Sequence, residues 1–172
     1  MDTNTLYTDK ILSGIGNRHP TSTDQISGED AIDLQDGRRS WSRLYREKTA
    51  EDVKSGISES VSKKDNWKIN PDKITLFKSF TEYLSGQHVR VIIFLAPWHP
   101  ETYQKFKTEP GNRMVLELED YIRKYAEEKN ITVIGSYDPT RYNLTSSDFY
   151  DATHPKPDAV SRIFAAGDIG RL

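Results

Sequence analysis

Apolar residues are spread unevenly along the chain. From Met1 to about Asn66, isolated Leu, Ile, Trp and Tyr stand among Ser, Thr, Asp, Gly and Arg, and the stretch from Ser13 to Asp36 has no sustained period and reads as loop. One helix is expected there: Thr49, with Asp52 three residues on, forms an imperfect capping box, and Val53, Ile57 and Val61 repeat every four residues as a thin stripe. The pattern then sharpens. Asn70 is placed to cap a helix with Pro71 at its first position, Ile74, Phe77, Phe80, Thr81 and Leu84 fall on one face, and Gly86 closes the element. Val89 to Ala96 is an almost unbroken β-branched and apolar run, the pattern of a strand buried on both faces in a helix-covered parallel sheet. Val115, Leu118, Tyr121, Ile122 and Tyr125 mark an amphipathic helix, Ile131 to Ile134 a short strand before Gly135, and Val160, Ile163 and Phe164 a last helix from near Pro157.

Helix, strand, helix, strand, helix is the rhythm of an α/β fold with a parallel sheet. The 172 residues fit one domain, but only 35% are hydrophobic, so the core is confined to part of the chain. The reading divides the chain into a loop-rich segment 1–66 with one helix, an α/β part 67–165 and a fraying tail 166–172. No cysteine is present, which excludes a disulfide framework, a thiolate zinc site and a cysteine nucleophile. No apolar run reaches the ~18 residues that span a bilayer, and Met1 to Lys10 lacks a signal-peptide pattern, so the chain reads as soluble while its compartment stays open. A formal charge of −2 argues against a nucleic-acid binder; Arg38, Arg39, Arg43 and Arg46, interleaved with Trp41 and Tyr45, have acidic neighbours and read as a solvated or packing cluster.

In parallel sheets ligands gather at the carboxyl ends of the strands. Two loops are expected there. Pro97-Trp98-His99-Pro100 is followed by Tyr103, and the segment Ser136 to Pro155 carries Tyr137, Asp138, Tyr150, Asp151 and His154. Asp151 and His154 are spaced so that a carboxylate at a turn reaches the imidazole ring, fixing its tautomer and raising the basicity of the other nitrogen. Trp98, His99, Tyr103 and Tyr150 are the candidate substrate contacts. His99, Asp151 and His154 have the ligand types for zinc, but their spacing matches no recognised metal motif, and no cofactor is implied.

The block Val91 to Tyr103, Ile134-Gly135-Ser136-Tyr137-Asp138-Pro139 and Phe149-Tyr150-Asp151-Ala152-Thr153-His154-Pro155 resembles the C-terminal half of SGNH/GDSL-type hydrolases, in a bacterial branch encoded with cell-surface polysaccharide genes. The resemblance runs from about Asp36 to Phe164 and is strongest from Val89 onward. It implies a partial flavodoxin-like three-layer sandwich preceded by an irregular N-terminal segment. The activity it implies is metal-free ester hydrolysis or O-acyl transfer on acylated carbohydrate, with Asp151 and His154 as the aspartate and histidine of a Ser-His-Asp triad. If complete relatives are membrane-anchored, the site faces outward.

The pattern departs from that family at the nucleophile. No Gly-Asp-Ser occurs; Ser13-Gly14-Ile15-Gly16-Asn17 follows no strand pattern, and Ser55-Gly56-Ile57-Ser58 lies inside a predicted helix. The chain is therefore expected to lack the nucleophile-bearing half, leaving an uncovered sheet edge that pairs with that half or with a second copy. Two classes follow: an esterase or acyltransferase portion working through His154 and Asp151, inactive alone, or a non-catalytic remnant that serves as an interaction domain.

Overall fold

The computed structural model describes residues 31–33, 39–61 and 68–167. Ser13 to Asn17, Arg38 and the tail beyond Gly167 lie outside them. The chain divides into two compact units, Met1–Lys48 and Thr49–Leu172. In the first, β1 (Ala31–Asp33) pairs antiparallel with β2 (Arg39–Trp41). A one-turn helix, α1 (Arg43–Arg46), follows, with Ser42 Oγ accepting the Tyr45 N–H. Trp41 stacks on Tyr45 at 4.4 Å, and Lys48 lies over the Tyr45 ring, so this aromatic pair has a packing role.

The second unit opens with α2 (Ala50–Val61). The capping box forms as the spacing predicts: Asp52 N–H donates to Thr49 Oγ1, and Thr49 N–H to Asp52 Oδ2 at 2.9 Å. The composition-based boundary near residue 66 puts this helix in the N-terminal segment, whereas the division between units falls between Lys48 and Thr49. Its Val53 and Ile57 pack with Phe106 and Val115 in the core of the second unit.

Helix α3 (Pro71–Gly86) starts at the Asn70 cap, which accepts the N–H groups of Asp72 and Lys73. Its end differs from the sequence reading. Gly86 is still helical, and the left-handed residue is His88, at φ 58°. His88 N–H donates to Ser85 O and Val89 N–H to Leu84 O, which completes a Schellman motif with histidine in the place usually held by glycine. Phe80 also differs: it is 58% exposed, while Phe77 and Thr81 face α5 (Met114–Glu128). Thr81 Oγ1 meets the Tyr125 hydroxyl at 2.6 Å, and Phe77 packs edge-on to the Tyr125 ring.

Strand β3 (Ile92–Leu95) pairs in parallel with β4 (Thr132–Gly135), Ile92 opposite Thr132 and Leu95 opposite Gly135. Both strands and their parallel pairing follow the apolar pattern, but β3 is not buried on both faces. Leu95 is buried and Ile93 half-buried, whereas Ile92 and Phe94, on the opposite face, are 41% and 37% exposed. An unbroken apolar run shows that a strand tolerates burial on both sides; burial itself needs covering elements. On that face the ring of Phe164 of α6 (Pro157–Ala166) lies tilted against Phe94, at 5.1 Å. Between the strands, α5 ends in a second Schellman motif with Asn130 left-handed, its N–H donating to Glu127 O and that of Ile131 to Ala126 O. Ile134, Leu144, Phe149, Ala159 and Ile163 form the second core cluster. The chain is thus mixed α/β with a short parallel sheet, and no described helix is long and apolar enough to cross a membrane.

Gly135 is the tightest point of this sheet. It has φ +84°, and a Cβ placed on it would stand 2.3 Å from the carbonyl oxygen of its ladder partner Leu95. Gly135→Ala should therefore push the strands apart and destabilise the fold by about 1–3 kcal/mol, measured as a lowered midpoint in thermal or urea unfolding.

Candidate active site

Both loops expected at the carboxyl edge are there, and two backbone hydrogen bonds, from Trp98 N–H and His99 N–H, join them. From Leu95 the chain runs through Pro97 and Trp98 into α4 (Pro100–Thr108), a helix the hydrophobic pattern does not reveal. Its N-cap is His99, whose Nδ1 accepts the Glu101 N–H at 3.2 Å, with Pro100 pre-set for the first turn. Histidine is outside the usual capping set, so only the proline signalled this start. The accepting Nδ1 leaves the ring proton on Nε2, which has no hydrogen-bond partner among the described residues. The ring is 0% exposed and meets Phe149 edge-on. His99 is therefore a buried cap and is not presented to a ligand at the surface. Trp98 is half-buried, edge-on to Phe106, with its Nε1 enclosed, and packs on the core.

The second loop closes on itself. Phe149 and Pro155 form an antiparallel bridge, Tyr150 N–H donates to His154 O at 2.9 Å, and buried Phe149 pins the base. Within this ring Asp151 makes an Asx-type turn: its Oδ1 accepts the N–H groups of Thr153 at 2.7 Å and His154 at 2.8 Å. Its Oδ2 lies 2.7 Å from His154 Nδ1. A carboxylate only accepts, so Nδ1 carries a proton that it donates to Asp151. The His154 side chain is 45% exposed, against 28% for Asp151, so the carboxylate is the more sheltered of the two. Tyr150 is half-buried beneath the Lys156 ammonium, and the Asp148–Arg162 ion pair fastens the loop to α6. One of the two joints is His99 N–H, which donates to Ala152 O at 3.2 Å and holds the Asp151–His154 turn against the end of β3.

At the end of β4 a cavity of about 240 Å³ is lined by Tyr103, Asp120, Asp138 and Arg141 above Glu119 and Ser136. Tyr103 is thus the aromatic candidate that faces a cavity. Burial first, then the Asp138 and Glu119 carboxylates, push its phenol pKa up, so it acts as a neutral hydroxyl. Glu119, Ser136 and Arg141 were not candidates from sequence. Glu119 alone carried a signal, a carboxylate one turn after Val115 on the apolar side of α5. Among the described residues no three His, Asp or Glu side chains come together as a metal-binding set. Comparison with family models, curated proteins and solved structures finds no match to this chain.

Burial lowers the pKa of His99, only partly offset by Glu101 and Asp151, so the folded protein holds this ring neutral. The unfolded chain takes up the proton first, near pH 6.5, so the His99 contribution is fully present above that pH and lost as pH falls toward the lowered folded value. His99→Asn keeps a cap and removes the titration. In urea melts at pH 8, 7, 6 and 5, the stability gap between wild type and this variant should narrow as pH falls; a constant gap would count against a buried neutral His99.

Proposed function

We propose that this chain carries the base half of an SGNH/GDSL-type ester hydrolase or O-acyltransferase acting on acylated carbohydrate. The observation that carries this reading is the 2.7 Å contact between Asp151 Oδ2 and His154 Nδ1, at a turn bonded to the carboxyl end of β3. Asp151 orients the ring and stabilises the imidazolium as it forms; His154 Nε2 takes the proton of an attacking hydroxyl and later returns it to the leaving alcohol. The cavity beside Tyr103, lined by carboxylate and guanidinium groups, supports the reading, since such groups hold hydroxyl-rich molecules. The flavodoxin-like three-layer arrangement belongs to the same proposal.

No serine of the chain has a strand-turn-helix setting in its sequence, so the nucleophile in this reading lies on a segment other than Val89 to Phe164. With p-nitrophenyl acetate, the chain alone should give trace hydrolysis that His154→Ala hardly changes. Supplied with a nucleophile-bearing segment, fused or in trans, it should turn over, and His154→Ala should lower that turnover at least ~10²-fold. Turnover that persists in His154→Ala would sink the assignment.

A second reading, a non-catalytic interaction domain, is favoured by a separate observation. Leu76, Phe80 and Tyr83 on α3, Val89 just after it, and Ile92 and Phe94 on β3 are exposed large apolar side chains. The partner in that case is the nucleophile-bearing half or a second copy. Light scattering across a concentration series should then show a mass that rises with concentration, and Phe80→Lys with Ile92→Lys should return it to the monomer value.

A further inference from the structure

Glu119 is 7% exposed on the apolar side of α5, where an aliphatic residue would be cheaper to bury. Its carboxylate is fully engaged. Oε1 accepts from Arg123 Nε at 2.9 Å, Arg123 Nη2 at 2.7 Å and Ser136 Oγ at 2.8 Å. Oε2 accepts the backbone N–H of Tyr137 at 2.8 Å. Arg123 Nη2 also donates to Gly135 O at 2.6 Å, so three hydrogen bonds tie the helix to the strand exit.

The path continues from that exit. Tyr137 O accepts Trp98 N–H at 3.1 Å, and the next amide, His99 N–H, donates to Ala152 O at 3.2 Å. Ala152 stands between Asp151 and His154. The Asx-type turn sets the internal geometry of that pair, buried Phe149 and the Asp148–Arg162 pair hold the base of its loop, and the His99–Ala152 bond fixes the turn itself against the end of β3. We infer that Glu119 is a positioning residue: through Tyr137 and the Trp98–His99 exit of β3, it sets where the Asp151–His154 turn lies. The inference rests on this hydrogen-bond path and holds whether or not His154 acts as a base, so it stands or falls apart from the proposed activity.

The test is amide hydrogen exchange and histidine-ring nitrogen NMR on the full chain and Glu119→Gln. Glutamine has one acceptor oxygen and cannot serve both Tyr137 N–H and the Arg123–Ser136 group. Exchange at Trp98 and His99 should quicken about tenfold or more beyond the change at the β3–β4 strand amides, which report global stability. The His154 ring signals should shift in the same spectra. Thr81→Val breaks the buried bond to Tyr125, away from the path, and should change Trp98 and His99 exchange only in step with the strand amides. Exchange at Trp98 and His99 that merely follows global stability in Glu119→Gln overturns the inference. So does faster exchange there with His154 signals left in place. Should Glu119→Gln fail to fold, Arg123→Gln, which removes the brace to both Glu119 and Gly135 O, carries the same comparison.

Discussion

The parallel ladder between β3 and β4 is the constraint on which the second unit depends. It brings Leu95 opposite Gly135, so the two chain exits leave side by side, one toward Trp98 and His99, the other toward Ser136 and Tyr137. The approach is so close that the Gly135 position has no room for a side chain, and its φ of +84° turns the β4 exit. A parallel pair also needs a long crossover, which α4 and α5 supply while burying Phe106 and Val115 against α2. Site and core thus grow from the same two strands.

Polar groups, more than apolar ones, organise the edge. The Phe106–Val115 and Phe149–Ile163 clusters supply non-directional burial, and neither says how one loop lies on another. Direction comes from hydrogen bonds made under cover: Glu119 to Tyr137, Tyr137 to Trp98, His99 to Ala152. Partly shielded from water, these bonds help hold an otherwise self-contained turn at one place. His99 belongs to this framework. Sequence position made it a candidate ligand; burial makes it a helix cap and a strut.

The Asp151–His154 pair has the polarity a general base requires, a carboxylate on Nδ1 of a half-exposed ring. Such a pair acts only on a hydroxyl held within hydrogen-bond distance, so the proposed chemistry turns on where the attacking oxygen comes from. The exposed apolar faces of α3 and β3 bear on the same question, since a strand edge flanked by apolar side chains accepts another chain segment more readily than it tolerates water.

The sequence by itself determined what is local. The Thr49 and Asn70 caps, the α5 stripe, the places of β3 and β4 in the chain and the Asp151–His154 turn follow from spacing and residue type, because each is marked by residues within a few positions of one another. What depended on long-range neighbours was out of its reach. The apolar run of β3 could not tell that Ile92 and Phe94 stay exposed, the α3 pattern could not tell Phe80 from Phe77, and neither Trp98 nor His99 announced that it turns inward. Helix α4 stayed hidden because a buried histidine caps it. Burial is a property of what the rest of the chain brings to a residue, so only the tertiary structure decided which polar side chains face solvent and which, like Glu119 and His99, hold the edge together from within.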